Sequence, residues 1–124
     1  MAHILVVDDE DLMRQMLRDI IEDAGHEVSV ASDGKAGLEV LEEKPADLVI
    51  TDILMPEQDG LELIRALHRD HPDVKIIAIS GGGTTVKLNF LPEAQELGAH
   101  DALHKPFGRS ELLVKIRGVL ECAG

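Results

Sequence analysis

Short runs of apolar and β-branched residues alternate along this chain with longer segments whose apolar positions recur at helical spacing. Runs of this length suit strands, and their nearly continuous apolar character is typical of strands covered on both faces of a sheet. The predicted strands are His3–Val7, Glu27–Val30, Asp47–Thr51, Val74–Ile79 and Asp101–His104.

The intervening and following segments predict helices. They are Asp11–Ala24, a helix capped by Ser32 or Asp33 that ends near Glu43, one that opens at Asp59-Gly60, one that ends near Leu97-Gly98, and Arg109–Glu121. Strict alternation of strands and helices implies right-handed crossovers and a parallel sheet with helices on both faces. At this size, five strands favour an α/β flavodoxin-like doubly wound sheet of order 2-1-3-4-5 with five helices. We expect one domain over residues 1–124.

The charge balance disfavours some classes of partner. The chain carries 24 acidic and 12 basic residues, a net charge of −12, and such a field repels phosphate backbones and anionic lipid. Binding to nucleic acid or to a membrane is therefore disfavoured, whereas Mg²⁺ or a basic protein surface suits the charge. The chain has a single cysteine, Cys122, and lacks both a basic leader and an apolar run of about 20 residues. A cytoplasmic protein, monomeric or weakly dimeric, is expected.

Polar residues collect where the predicted strands end. In strand order they are Asp8-Asp9-Glu10, Thr51-Asp52, Ser80 and His104-Lys105-Pro106. The carboxyl ends of parallel strands meet at one edge of a sheet, which is where folds of this kind bind their ligands. We therefore expect carboxylates, a hydroxyl and an ammonium to converge there.

The carboxylates at this edge call for a cation. Two carboxylates about 4 Å apart repel by roughly 4 kcal/mol at an effective dielectric constant near 20. Asp8, Asp9 and Asp52 together therefore predict a hard divalent ion with oxygen ligands, Mg²⁺. The edge would then suit a phosphoryl group whose oxygens meet Mg²⁺, the Lys105 ammonium and the Ser80 hydroxyl. A carboxylate nucleophile would give an acyl phosphate.

Each of these residues also has an ordinary structural interpretation. An acid among residues 8–10 can cap the first helix and complement its dipole. Asp52 alone can be a loop acid, Ser80 a turn residue, and Lys105 a solvated surface lysine. The functional interpretation depends on all of them falling at the same edge in the right order.

Four segments resemble the motifs of response-regulator receiver domains, in the family's order and over nearly the whole chain. They are LVVDDE (Leu5–Glu10), TDILMPEQDG (Thr51–Gly60), IAIS (Ile77–Ser80) and KPF (Lys105–Phe107). The resemblance implies the fold already expected. It also implies a single-domain receiver without an effector domain, acting in a two-component phosphorelay.

The resemblance implies roles for the acidic residues. Asp52 is the expected phosphoacceptor. Asp8 and Asp9 are the expected acidic pair that binds Mg²⁺, with Asp9 the more direct ligand. Asp52 itself and the backbone carbonyl of Leu54 complete the expected ligand set.

The resemblance also implies roles for the remaining site residues and for partners. Lys105 is expected to bind the phosphoryl oxygens, the Lys105–Pro106 bond to be cis, and Ser80 to be the switch hydroxyl. The donor would be a phosphohistidine on a sensor histidine kinase or phosphotransfer protein. Output would pass to an unidentified protein through the predicted fourth helix, fifth strand and fifth helix. Such a domain takes and loses its phosphoryl group by itself, and is not a turnover enzyme.

Two features depart from the family pattern. Ala102 stands where the family commonly has Tyr or Phe, so the aromatic half of the usual switch is absent. The spacing between Ser80 and Lys105 is longer than usual, and the additional residues lie in a loop over Gly81–Asn89. We expect phosphorylation to order that loop.

Other interpretations stay open at this point. The chain can be a receiver excised from a longer regulator. An aspartate-nucleophile phosphatase of the haloacid-dehalogenase type needs a second aspartate two residues after the nucleophile, where this chain has Leu54, which cannot transfer protons. A flavin carrier on the same fold is disfavoured, because the chain has neither Tyr nor Trp to stack on the ring.

Overall fold

A computed structural model of the protein describes residues 2–53, 60–80 and 98–121. Its strands form one sheet in the order β2-β1-β3-β4-β5, with every neighbouring pair parallel. This confirms the predicted flavodoxin-like topology. The strands are β1 (His3–Val7), β2 (Glu27–Ala31), β3 (Leu48–Asp52), β4 (Lys75–Ser80) and β5 (Asp101–His104).

The described ranges contain the helices α1 (Asp11–Asp23), α2 (Gly34–Glu43), α3 (Gly60–Asp70) and α4 (Arg109–Glu121). Helix α4 is the fifth helix of the sequence prediction. The helix that was expected to end near Leu97-Gly98 falls outside the described residues, and so does the Gly81–Asn89 loop. In the described ranges, no helix combines the length and the hydropathy that crossing a bilayer requires.

Several strands begin or end one residue away from the predicted bounds, as their backbone hydrogen bonds show. Strand β2 extends to Ala31, which pairs with Val7. Strand β3 extends to Asp52, which pairs with Ile79. Strand β4 begins after Val74, because the Val74 N–H donates to the carbonyl of His71 in the preceding turn. Hydropathy predicts where an apolar run lies, whereas hydrogen bonds decide where a strand begins and ends.

Helix α2 begins at an N-cap that the sequence left open between two residues. Asp33 is the cap, and its Oδ1 accepts a hydrogen bond from the Ala36 N–H at 2.8 Å. This bond satisfies one of the amides that a helix start leaves without a partner.

Alternating strand residues form two apolar layers, one on each face of the sheet. Ile4, Val6 and Ile50 pack on the side of α1 and α4, while Leu5 and Val49 pack on the side of α2 and α3. All five are fully buried. Burial of such a side chain contributes roughly 1.5–3 kcal/mol, so these layers are the main source of stability for the edge on which the polar residues stand.

The inner face of α1 includes only some of its apolar residues. Leu17 and Ile21 are buried, whereas Leu12 is 87% exposed and Met16 is 39% exposed. Met13 packs against the core instead. The face that continues Leu17 and Ile21 by helical spacing passes through residue 13, because residues four apart stack on one side of a helix.

Gly98 precedes β5 in a backbone conformation that favours glycine. Its φ is 132°, and a Cβ atom placed there would lie 2.8 Å from Cγ and Nδ1 of the His68 ring. A larger residue would therefore meet both backbone strain and a side chain that has to move.

We expect Gly98→Ala to lower the free energy of unfolding by about 1–3 kcal/mol, measured by urea denaturation. Gly118→Ala is the matched control, because Gly118 lies within α4 and a Cβ there would meet no atom of the described residues within 4 Å. That control should be neutral or stabilising by up to about 1 kcal/mol. Equal effects of the two substitutions would contradict the expectation.

Candidate functional site

The carboxyl edge of the sheet brings two aspartates from neighbouring strands together. Asp8 directly follows β1, and its N–H donates to the carbonyl of Ala31 at 3.1 Å. Asp52 is the last residue of β3 and is 4% exposed. Both side chains are buried at the edge where the sequence predicted that they converge.

Lys105, which follows β5, reaches both aspartates. Its Nζ lies 2.9 Å from Asp52 Oδ2, 3.4 Å from Glu10 Oε1 and 3.7 Å from Asp8 Oδ2. The Lys105 side chain is only 15% exposed. The interpretation of Lys105 as a solvated surface lysine is therefore wrong.

Glu10 is a member of this site that the sequence did not single out. Asp8, Glu10 and Asp52 each offer a carboxylate oxygen, and these oxygens lie within 4.8 Å of one another. Glu10 occupies the N-cap position of α1, yet its side chain makes no capping hydrogen bond. Its place two residues after Asp8 was visible in the sequence, but the direction of its side chain was not.

Asp9 does not belong to this cluster of three carboxylates. Its side chain is exposed, between two residues whose carboxylates point toward Asp52. The role of Asp9 as a direct metal ligand remains a prediction. A metal-ligating role for Leu54 also remains a prediction, since Leu54 lies outside the described residues.

The other expected features lie at or beside this edge. Ser80 ends β4 and pairs with His104, so its backbone is at the edge, while its side chain lies outside the described part. The Lys105–Pro106 peptide bond is cis, as the resemblance implied. Ala102 lies in β5 opposite Ala78 and packs against the core on the α2 and α3 side.

Burial makes ionised Asp8 unfavourable. It raises the pKa of Asp8 to about 6, and the charges of Asp52 and Asp9 add to the rise. The Glu10 N–H, which donates to Asp8 Oδ1 at 2.9 Å, and the Lys105 ammonium act in the opposite direction. The negative charge of ionised Asp8 is therefore only partly compensated.

Asp8 Oδ2 is the group that most directly suggests a metal ion. It is buried, and within the described residues it has no hydrogen-bond partner. A buried carboxylate oxygen without a donor is costly. Grouped carboxylate oxygens are the ligands that hard divalent cations prefer, so Asp8, Glu10 and Asp52 fit such an ion.

The same carboxylates keep Lys105 charged. Burial alone would lower the pKa of Lys105, but the hydrogen bond to Asp52 and the charges of Asp52, Asp8 and Glu10 outweigh burial and raise it. Lys105 is thus a fixed cation at the point where an anionic group would meet Asp52.

Residues 4–117 match the family model described as the response regulator receiver domain. The chain belongs to the response regulator receiver domain family. It is therefore a receiver domain of two-component signalling, and the acidic edge with its lysine fits a phosphoacceptor role.

Similar proteins include both short and long chains. The response regulator receiver protein CpdR of Brucella abortus (strain 2308) is 37% identical over 123 residues, covering 99% of this chain and 100% of CpdR. The transcriptional regulatory protein CpxR of Escherichia coli (strain K12) is 35% identical over 120 residues, covering 97% of this chain and 50% of CpxR. This receiver thus spans about half the length of CpxR.

A solved structure has the same architecture. The crystal structure of the receiver domain of NtrX from Brucella abortus superposes with a TM-score of 0.89 at 33% sequence identity. The match covers 97% of this chain and 99% of the NtrX receiver.

We expect Asp8→Asn to raise the free energy of unfolding in EDTA by about 2–3 kcal/mol near neutral pH. The folded-state pKa of about 6 exceeds the ordinary value of 3.8, so the folded state binds the proton more tightly than the unfolded state does. Ionisation of Asp8 therefore costs stability above about pH 6. The cost fades as the pH falls toward 4, and the gain from Asp8→Asn should fade with it.

Urea unfolding at several pH values measures this effect. Asp9→Asn is the matched control, because it removes the same charge from an exposed neighbour. A gain from Asp8→Asn that does not change with pH would contradict the electrostatic explanation.

Proposed function

We propose that this receiver accepts a phosphoryl group on Asp52 from a phosphohistidine, with Mg²⁺ bound beside it, and signals through a partner protein. The observation that carries the proposal is the 2.9 Å contact between Asp52 Oδ2 and Lys105 Nζ, at a buried edge shared with Asp8. A carboxylate that is held beside a fixed cation at the carboxyl edge of the sheet is suited to act as a nucleophile.

In the proposed transfer, a carboxylate oxygen of Asp52 attacks phosphorus while the P–N bond of the phosphohistidine breaks. The electron pair of that bond stays on the imidazole nitrogen, which takes up a proton. The product is an aspartyl phosphate. The protein chiefly positions the groups and neutralises charge, which is what phosphoryl transfer demands.

Lys105 would neutralise charge before and after the transfer. In the free protein its ammonium contacts Asp52. As charge develops on the phosphoryl oxygens, the same ammonium would hold them next to the new acyl phosphate. A cation with a raised pKa stays charged throughout the physiological pH range.

The proposed Mg²⁺ ligands are Asp8, Asp9, Asp52 and the Leu54 carbonyl. Glu10 is an additional candidate, because its carboxylate oxygen lies within 4.8 Å of those of Asp8 and Asp52. When bound, Mg²⁺ supplies positive charge between these carboxylates and the phosphoryl oxygens. Asp8 contributes a buried oxygen that has no hydrogen-bond donor among the described residues, which supports this assignment. The Ser80 hydroxyl is proposed as the switch group that bonds to the phosphoryl group.

The proposed donor is a sensor histidine kinase or a phosphotransfer protein, and the output protein is unidentified. The acidic net charge of −12 suits a basic docking surface rather than nucleic acid or lipid.

A cytoplasmic location, and a monomeric or weakly dimeric receiver over residues 1–124, belong to the same proposal. We also propose that the domain does not turn over a substrate, because Leu54 cannot serve as a proton-transferring acid. A receiver within a longer regulator remains the alternative.

Incubation with acetyl phosphate and Mg²⁺ should add the mass of one phosphoryl group, detected by intact mass spectrometry. Asp52→Asn should abolish the gain because the acceptor carboxylate is gone, and EDTA should abolish it because the carboxylates lose their counter-ion. Asp19→Asn is a control aspartate on the exposed side of α1, where it contacts Gln15, and should leave the gain intact. Labelling that survives Asp52→Asn would overturn the assignment.

A further inference from the structure

The Asp8 residue is held in place by three hydrogen bonds from different parts of the chain. Its N–H donates to the Ala31 carbonyl at 3.1 Å, and its Oδ1 accepts from the Glu10 N–H at 2.9 Å. Its own carbonyl oxygen accepts from Arg14 Nη1 at 2.6 Å. These bonds leave Oδ2 on the side of Lys105. The direction of that oxygen therefore depends on hydrogen bonds with the main chains of Ala31 and Glu10 and with the side chain of Arg14.

Arg14 is well placed to act on Asp8 through the main chain. It lies one helical turn into α1, where its own N–H donates to the Glu10 carbonyl at 3.0 Å. Its side chain is only 19% exposed, and its second terminal nitrogen, Nη2, pairs with Asp11. Because a guanidinium is planar and carries several fixed donors, the contact to Asp11 orients Nη1 toward the Asp8 carbonyl.

We propose that Arg14 is a positioning residue for the cation site: it anchors the Asp8 main chain so that Asp8 Oδ2 faces the ion. This inference rests on the proposed Mg²⁺ site. It adds to that site a basic residue of α1, which lies outside the acidic segment Asp8–Glu10. Groups that orient a metal ligand without touching the metal commonly change metal affinity by about 10- to 100-fold when they are lost.

Electrostatics alone leads to the opposite expectation. Arg14 carries a positive charge close to the carboxylates, so its removal by itself would make the site more negative and strengthen binding of a cation. Loss of positioning would weaken binding. The sign of the change in Mg²⁺ affinity therefore separates a positioning role from a simple charge effect.

The experiment is a Mg²⁺ titration of the full chain without any phosphodonor, by calorimetry or by the amide NMR signal of Glu10, whose N–H contacts Asp8. Arg14→Gln should raise the Mg²⁺ dissociation constant by about 10-fold. Arg14→Lys keeps the charge but loses the planar, fixed donors of the guanidinium, and its dissociation constant should fall between those of the wild type and Arg14→Gln. Arg18→Gln is the matched control, since Arg18 lies one turn further along α1 and pairs with exposed Glu22. It should change the dissociation constant by less than about twofold.

Unchanged or tighter Mg²⁺ binding by folded Arg14→Gln would overturn the proposal, and lower thermal stability with unchanged affinity would reduce Arg14 to a purely structural residue. If Arg14→Gln does not fold, Arg14→Lys decides by the same comparison. A wild-type chain that binds no Mg²⁺ would overturn both this inference and the metal site. Normal Mg²⁺ binding without labelling of Asp52 would overturn the proposed function alone.

Discussion

The buried carboxylates of Asp8 and Asp52 share the ammonium of Lys105, which lies 3.7 Å from one and 2.9 Å from the other. Asp8 Oδ2 is nevertheless left without a hydrogen-bond donor in the described residues. Burial, with the charges of Asp52 and Asp9, raises the pKa of Asp8. An arrangement that is costly for the resting fold is useful for a site that must attract a cation and then an anionic group.

The topology of the sheet makes this arrangement possible. Because β1 and β3 are neighbours, Asp8 and Asp52 emerge side by side, although they are far apart in the sequence. Strand β4 separates β3 from β5, so Lys105 must extend its long stem across the edge to reach Asp52. The small exposed fraction of the whole Lys105 side chain indicates that it lies along the protein, as the apolar part of a lysine can.

The fold was more predictable than the site. Hydropathy predicted β1, β5 and α4 with the bounds that the structure has, because buried parallel strands and amphipathic helices have distinct apolar periods. Apolar spacing alone did not distinguish the buried Leu17 of α1 from the exposed Leu12 and Met16. A broad apolar stripe does not reveal its own centre, which is set by what the helix packs against.

The sequence by itself determined the alternating elements, the parallel sheet, and the positions of Asp52 and Lys105 at its carboxyl edge. Those properties follow from local periodicity and from the rule that parallel strands end at one edge. Only the tertiary structure decided that Asp8 and Glu10, but not Asp9, turn toward Asp52, and that Arg14 holds the Asp8 carbonyl. Side-chain directions in the segment between β1 and α1 depend on hydrogen bonds of Asp8 with Ala31, Glu10 and Arg14, and no local pattern of residue types specifies them.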